Sequence, residues 1–499
     1  MNTLHPPNSF KFNWILLSVL ITFLPHYHAN SYELPDIAGS AESIFTPVEE
    51  QRLGRAFMRS VRQKLSIIDD LLWSDYINSL GQQLASKAVT SQREFYFFLI
   101  DQNEINAFAG PGGNIAIYSG LILASESESE LAAVMAHEIA HVSQNHLHRA
   151  FENASNMSIP TAALLLAAIV LGAKAGGDVG MAAAAGIQAA ALQNQIDFTR
   201  ENEQEADAIG IQILTAAEFD PHAMPVFFER IAKTSRLYEN NAPEFLRTHP
   251  VTTNRIGDAM GRAETYPYRQ RVDDANYFLL RAALRERGFS DSKQAVKHFR
   301  ANLEFKRYRQ EIAERYGYAL ALLRARKFSQ ARSETRSLVT AIPTSIPFIL
   351  LDAAVESESG NVTGAEKTIT TALKLYPSNA SLASFYAKMC LHQNHPSRAA
   401  APLDQALTHH SKNSSLYELR ATVANAMGEK ADAHLFLAEA SVLSGELETA
   451  VQRLGAALRT ENFDEYAEVK LRSRLMVLEE ELKADKMAQE FKKGAGKKR

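Results

Sequence analysis

Val134-Met135-Ala136-His137-Glu138-Ile139-Ala140-His141-Val142 decides how the first half of this 499-residue chain folds, because it sets a His-Glu-x-x-His inside an apolar helical stripe. A spacing of four sends both imidazoles from one face of a helix, where they can grip a single ion. Glu138, next to the first histidine, then reaches a water on that ion instead of the ion itself. Ser127-Glu128-Ser129-Glu130 forms a Ser-x-x-Glu capping box upstream, and Leu131, Val134, Met135 and Val142 carry the stripe onward. Glu138 is the single acidic or basic side chain from Ala132 to Val142 apart from the two histidines, which suits a desolvated site. The pattern predicts a zinc-dependent peptide hydrolase with one zinc ion per chain.

The chain is long enough for two or more domains, and 46% hydrophobic with 22% charged residues is ordinary for globular protein. A formal charge of −4 offers no electrostatic reason to expect nucleic acid as a partner. Lys492, Lys493, Lys497, Lys498 and Arg499 read as a solvated basic tail over residues 489–499. At the other end Lys11, the apolar run Trp14 to Leu24 and small residues near Ala29 read as a signal peptide over residues 1–30, which places the mature protein outside the cytoplasm. Cys390 is the lone cysteine, so no internal disulfide forms and the fold rests on apolar burial and on the metal.

Leu53, Phe57, Val61 and Leu65, then Leu72, Ile77, Leu80 and Leu84, predict helices over 45–90. Phe95 to Ile100 is rich in strand formers, Pro111-Gly112-Gly113-Asn114 signals a turn, and Ile115 to Tyr118 predicts a second short strand. That last strand is expected to be an edge able to hold an extended peptide. The Ala-rich apolar segment over 160–192 reads as two short helices against the catalytic domain or a membrane surface, because each arm falls short of the roughly 20 residues a span needs.

From about residue 270 the chain repeats. Ala331, Ala365, Ala399 and Ala433 are spaced 34 apart, as are Pro343 and Pro377, and Ala372, Ala406 and Ala440 follow seven residues after their partners. This is the period of the tetratricopeptide repeat, a solenoid that holds other proteins. Ala450 and Ala457 follow a half-step of 17, so the last repeat reuses the preceding second helix as its first. The expected fold is mainly α: a zincin-like α+β metallopeptidase domain with a small sheet over 31–268, then an all-α repeat solenoid over 269–488.

Two histidines and a water leave zinc one protein ligand short. His146 and His148 stand five and seven residues after His141, where a longer metzincin motif needs six, and they read as surface residues. The better source is Thr199-Arg200-Glu201-Asn202-Glu203-Gln204-Glu205-Ala206-Asp207. Helical spacing puts Glu203 and Asp207 on one face, so that one ligates while the other orients a ligand histidine. Glu201 or Glu205 could serve instead on chemistry alone.

The His137-Glu138-x-x-His141 helix, the Arg200-x-x-Glu203-x-x-Ala206-Asp207 element and the Asn106-Ala107-Phe108-Ala109 and Gly112-Gly113-Asn114-Ile115 segments together resemble the CAAX-prenyl-protease and HtpX-like family of zinc peptidases. With the signal and the repeats, nearly the whole chain resembles the periplasmic members of that family that assist β-barrel assembly. The resemblance implies Glu203 as third zinc ligand and Asp207 as a supporting catalytic residue. It also implies that His249, in Leu246-Arg247-Thr248-His249-Pro250, is a removable fourth ligand that regulates the site. Arg255, six residues on, is then placed to bind a substrate carbonyl or the developing oxyanion. Implied partners are unfolded or stalled outer-membrane β-barrel proteins, which the protein would help assemble or degrade, and the barrel assembly machinery, engaged through the repeats. The alternative is a proteolytically silent tetratricopeptide scaffold.

Overall fold

The computed structural model describes residues 47–88, 94–151, 200–237 and 243–495; the signal over 1–30 and the apolar segment over 160–192 lie outside them. Two helices open the described chain, α1 (Pro47–Lys64) and α2 (Leu71–Ala85), followed by strands β1 (Tyr96–Ile100), β2 (Ala107–Gly110) and β3 (Asn114–Tyr118). Then come α3 (Ser119–Ala124), the metal helix α4 (Glu128–Ser143) and the short α5 (His146–Phe151). The catalytic half continues with α6 (Arg200–Ala216), α7 (Ala223–Leu237), α8 (Glu244–Thr248) and α9 (Thr253–Ala263). Among the described residues no helix is long and apolar enough to cross a membrane.

The sheet corrects one expectation. Its order is β1-β3-β2, with β3 parallel to β1 and antiparallel to β2, so the Ile115–Tyr118 strand is the centre and not an edge. All five β3 residues are buried, as a strand covered on both faces must be, and among the described residues the edge of β2 away from β3 carries no further strand. Both Gly112 and Gly113, in the turn joining β2 to β3, have φ of +72°, a region costly for side-chain-bearing residues. A Cβ on Gly113 would also overlap the Glu94 carbonyl oxygen. Gly113→Ala is therefore expected to destabilise the protein by at least about 2 kcal/mol, read as a lowered melting temperature; an unchanged melt would contradict this register.

Helix α4 is buried all round, from Glu128 to Val142, which places it at the centre of the catalytic half. Ser127 caps it, its hydroxyl accepting from the Glu130 N–H at 3.2 Å, while the Glu130 carboxylate accepts from the Glu126 N–H at 2.6 Å. Burying Leu131, Val134, Met135 and Ile139 to 1% exposure or less contributes about 1.5–3 kcal/mol each. Helix α6 packs against α4 at Gly210, whose missing side chain leaves room for the His137 backbone; a Cβ there would stand 3.2 Å from its nitrogen.

Beyond residue 270 the chain is a series of helices: α10 (Ala275–Arg287) and α11 (Ser292–Glu304) both pack on α12 (Glu311–Arg324), α12 packs on α13 (Phe328–Ala341), and α14 (Ile346–Glu358) packs on α15 (Val362–Leu375). The series continues with α16 (Ala380–His392), α17 (Ser397–His409), α18 (Ser414–Met427), α19 (Lys430–Leu443), α20 (Leu447–Thr460) and α21 (Glu465–Ala495). Ala331, Ala365, Ala399 and Ala433 lie on α13, α15, α17 and α19, all buried at helix contacts, and α19 packs on both α18 and α20. The backbone of α21 is helical to Ala495.

The apolar core does not stop at residue 269. One cluster runs from Ile68 to Val355, with Trp73 edge-on to Tyr316 at 6.3 Å, so the first repeats share the catalytic core. Polar ties add to it: Arg281 donates to the Leu123 carbonyl at 3.1 Å, and Arg287 meets Asp101 at 2.7 Å. Later repeats also touch the catalytic half. Lys412 bonds Glu94 at 2.6 Å and the Tyr96 hydroxyl at 3.0 Å, and Arg59 donates to the Gly445 carbonyl.

Candidate metal centre

Residues from three separated segments meet over α4. His137 and His141 point from one face of that helix, Glu203 comes from the first turn of α6, and His249 follows α8 as its C-cap. One donor atom from each of these four lies within 4.8 Å of the others, and all four side chains are buried. The Nε2 atoms of His137 and His141 are 3.0 Å apart, and His249 Nδ1 is 2.9 Å from Glu203 Oε1 and 3.4 Å from His137 Nε2. Three imidazoles and one carboxylate, all buried, make a nitrogen and oxygen donor set able to hold a metal ion.

Local structure explains why His249 reaches the cluster. Its N–H closes the end of α8 on the Phe245 carbonyl at 2.8 Å, and its ring lies 5.0 Å from the buried Phe245 ring. Phe245 in turn donates its N–H to Ile105, just ahead of β2, at 3.1 Å. Glu138 sits beside the donors, with Oε1 3.5 Å from His249 Nε2.

A second layer stands behind the donors. His137 Nδ1 is 3.0 Å from Asp207 Oδ1, one helical turn beyond Glu203. Arg255, expected to meet substrate, is committed elsewhere: its Nε and Nη2 donate to the two Asp207 oxygens at 2.8 Å each, and Nη1 donates to Pro250 at 2.9 Å. Nη1 also lies 2.7 Å from Glu203 Oε2, an ion-pair contact whose angle makes no hydrogen bond. Buried and held this way, Arg255 ties Asp207 to the Pro250 turn.

His146 is a second correction. It is fully buried, with Nδ1 2.8 Å from His141 Nδ1, instead of lying on the surface. Its position depends on a chain reversal: α4 ends at Ser143, and Asn145 adopts a left-handed φ of +56° that swings the next residue back under His141. An Asn just past the last apolar residue of the helix was the available signal. Glu205, one alternative for the third ligand, faces His146 and Arg149 at 3.1 Å each. Glu201, the other, is exposed and outside the four-donor group.

The electrostatics follow from burial set against close charges. Burial disfavours the Glu203 anion, but His249 and His137 outweigh it and hold the carboxyl well below its usual range. Burial likewise opposes charge on His137, yet Asp207 and Glu203 override it and raise the imidazole to about 9. That anionic field favours any cation placed in the cluster. Burial, reinforced by His137, pushes His141 well down, and burial lowers His146 to about 4. Glu138 is pushed above the ordinary carboxylate range by burial, with His249 and His137 pulling it partly back, as suits a group that must accept and return a proton.

Known proteins resemble the chain in sequence. The sequence profile of peptidase family M48 matches residues 73–263, which include all four donors. The β-barrel assembly-enhancing protease of Escherichia coli strain K12 is 34% identical over 433 residues, covering 87% of this chain and 88% of that protein. A putative β-barrel assembly-enhancing protease of Vibrio cholerae is 40% identical over 312 residues, 62% of this chain and 64% of its own. The mitochondrial metalloendopeptidase OMA1 of Arabidopsis thaliana is 27% identical over 193 residues, 36% of each chain. The chain is a metalloendopeptidase of the M48 type, and it belongs to the family of β-barrel assembly-enhancing proteases.

Proposed function

We propose that this chain is a periplasmic zinc endopeptidase that promotes assembly of outer-membrane β-barrel proteins and degrades those that stall. Its catalytic domain covers 31–268, and its repeat domain over 269–488 recruits clients and the barrel assembly machinery. The signal-like N-terminus and the names of its relatives support the compartment and the clients. The observation that carries the chemistry is the buried group of His137, His141, Glu203 and His249 with Glu138 beside it.

His137, His141 and Glu203 would hold the zinc, which would supply Lewis acidity toward water and the scissile carbonyl. Glu138 takes the proton of the attacking water and returns it to the leaving amine. Asp207 keeps His137 facing the site, with Arg255 holding Asp207. Among the described residues β2 pairs with β3 and no other strand, and its other edge, beside α4, is the place for an extended client strand. His249, the fourth member of the buried group, would ligate the same ion and close the site to water.

The test is zinc content and cleavage of casein or an unfolded barrel protein by wild type and His249→Ala. Zinc retained with faster cleavage in His249→Ala is the expected result. Unchanged zinc and unchanged cleavage would remove His249 from the site. Both proteins inert with zinc bound would favour a silent repeat scaffold.

A further inference from the structure

We propose that His146 and Glu205 are positioning residues that fix the tautomer of His141, through a hydrogen-bond chain from Glu205 to His146 to His141. The inference rests on the metal reading of the four-donor group. His141 turns Nε2 toward that group, 3.0 Å from His137 Nε2 and 3.4 Å from Glu203 Oε1, so Nε2 must carry a lone pair to serve as a ligand. Its proton then sits on Nδ1, which faces His146 Nδ1 at 2.8 Å. Two facing ring nitrogens form a hydrogen bond only if one holds a proton and the other does not.

The direction is decided one step further out. His146 Nε2 lies 3.1 Å from Glu205 Oε2, and a carboxylate can only accept, so the His146 proton belongs on Nε2. That leaves His146 Nδ1 as an acceptor and His141 Nδ1 as its donor. The opposite polarity would put a proton on His141 Nε2 and block ligation. Arg149 secures the outer end, donating to Glu205 at 3.1 Å and to the Gln144 carbonyl, at the close of α4, at 2.6 Å. The two ligand histidines are thus oriented differently: His137 faces the carboxylate of Asp207 directly, while His141 is reached through a neutral imidazole.

His146 and Glu205 lie outside the four-donor group, so the proposal predicts an effect on metal affinity transmitted through His141. The full chain, stripped of metal, is titrated with zinc against a chromophoric chelator, and thermal melts are recorded for each variant without zinc. His146→Phe, which removes the acceptor, is expected to weaken zinc binding about 10- to 100-fold. His146→Asn, whose Oδ1 can stand where Nδ1 stood, is expected to recover most of it, which a purely packing role would not allow. Glu205→Leu, at a partly exposed position, is expected to weaken zinc binding several-fold even if His146→Phe fails to fold. Wild-type affinity in His146→Phe or Glu205→Leu would overturn the proposal while leaving the metal site standing. An Asn variant as weak as the Phe variant would overturn it as well, and a wild type that binds no zinc would overturn the metal reading itself.

Discussion

Glu138→Gln is expected to slow peptide hydrolysis roughly 100- to 10,000-fold while zinc stays bound, the range that a positioned general acid–base supplies. Glu138 is 1% exposed and stands beside the donor cluster without being one of its four members, so an isosteric amide should disturb neither folding nor metal content. Burial already lifts its carboxyl above the usual range, which brings its proton affinity closer to that needed at neutral pH. The amide can still accept a hydrogen bond from water but cannot take its proton. Single-turnover cleavage with parallel zinc analysis checks this. Loss of zinc together with activity would make Glu138 a ligand, and full activity with zinc bound would leave the proton transfer to another group.

Asp207→Ala is expected to destabilise the protein by about 3–5 kcal/mol, because it strands a buried guanidinium that has lost both oxygens of its main partner. Arg255 is 4% exposed and Asp207 3%, and the two parallel hydrogen bonds at 2.8 Å leave neither group solvated. Removing both charges together, in Asp207→Leu with Arg255→Met, should recover much of the loss, since a buried pair costs nearly as much to desolvate as it returns. Chemical denaturation of the single and double variants reads both effects. A single variant within about 1 kcal/mol of wild type would show that the pair is open to water.

How much of this was legible in sequence depends on how local each feature is. His137, Glu138 and His141 are tied together by the pitch of one helix, and Glu203 with Asp207 by another, so spacing alone exposes both groups. The repeats are legible for the same reason, since each alanine of the 34-residue register meets a neighbour only one helix away. Strand order is not local: Ile115–Tyr118 looks the same at an edge or in the centre, and only its partners on both sides reveal which it is. His146 was misread because a helix continued through Asn145 would carry it away from His141, whereas the left-handed turn brings it back. The pairing of Arg255 with Asp207 was not legible because it spans 48 positions. His249 could be named from family resemblance alone, for nothing in Thr248-His249-Pro250 shows that Phe245 and the Ile105 carbonyl bring the α8 loop over the metal helix.

The central claim is a zinc ion held by His137, His141 and Glu203 and closed by His249. Zinc-edge X-ray absorption on the purified full chain and on His249→Ala tests it most directly. The account predicts one zinc per chain with three imidazoles and one carboxylate oxygen in the wild type, and one imidazole fewer in the variant. Two imidazoles in both proteins, with no change on removing His249, would contradict it.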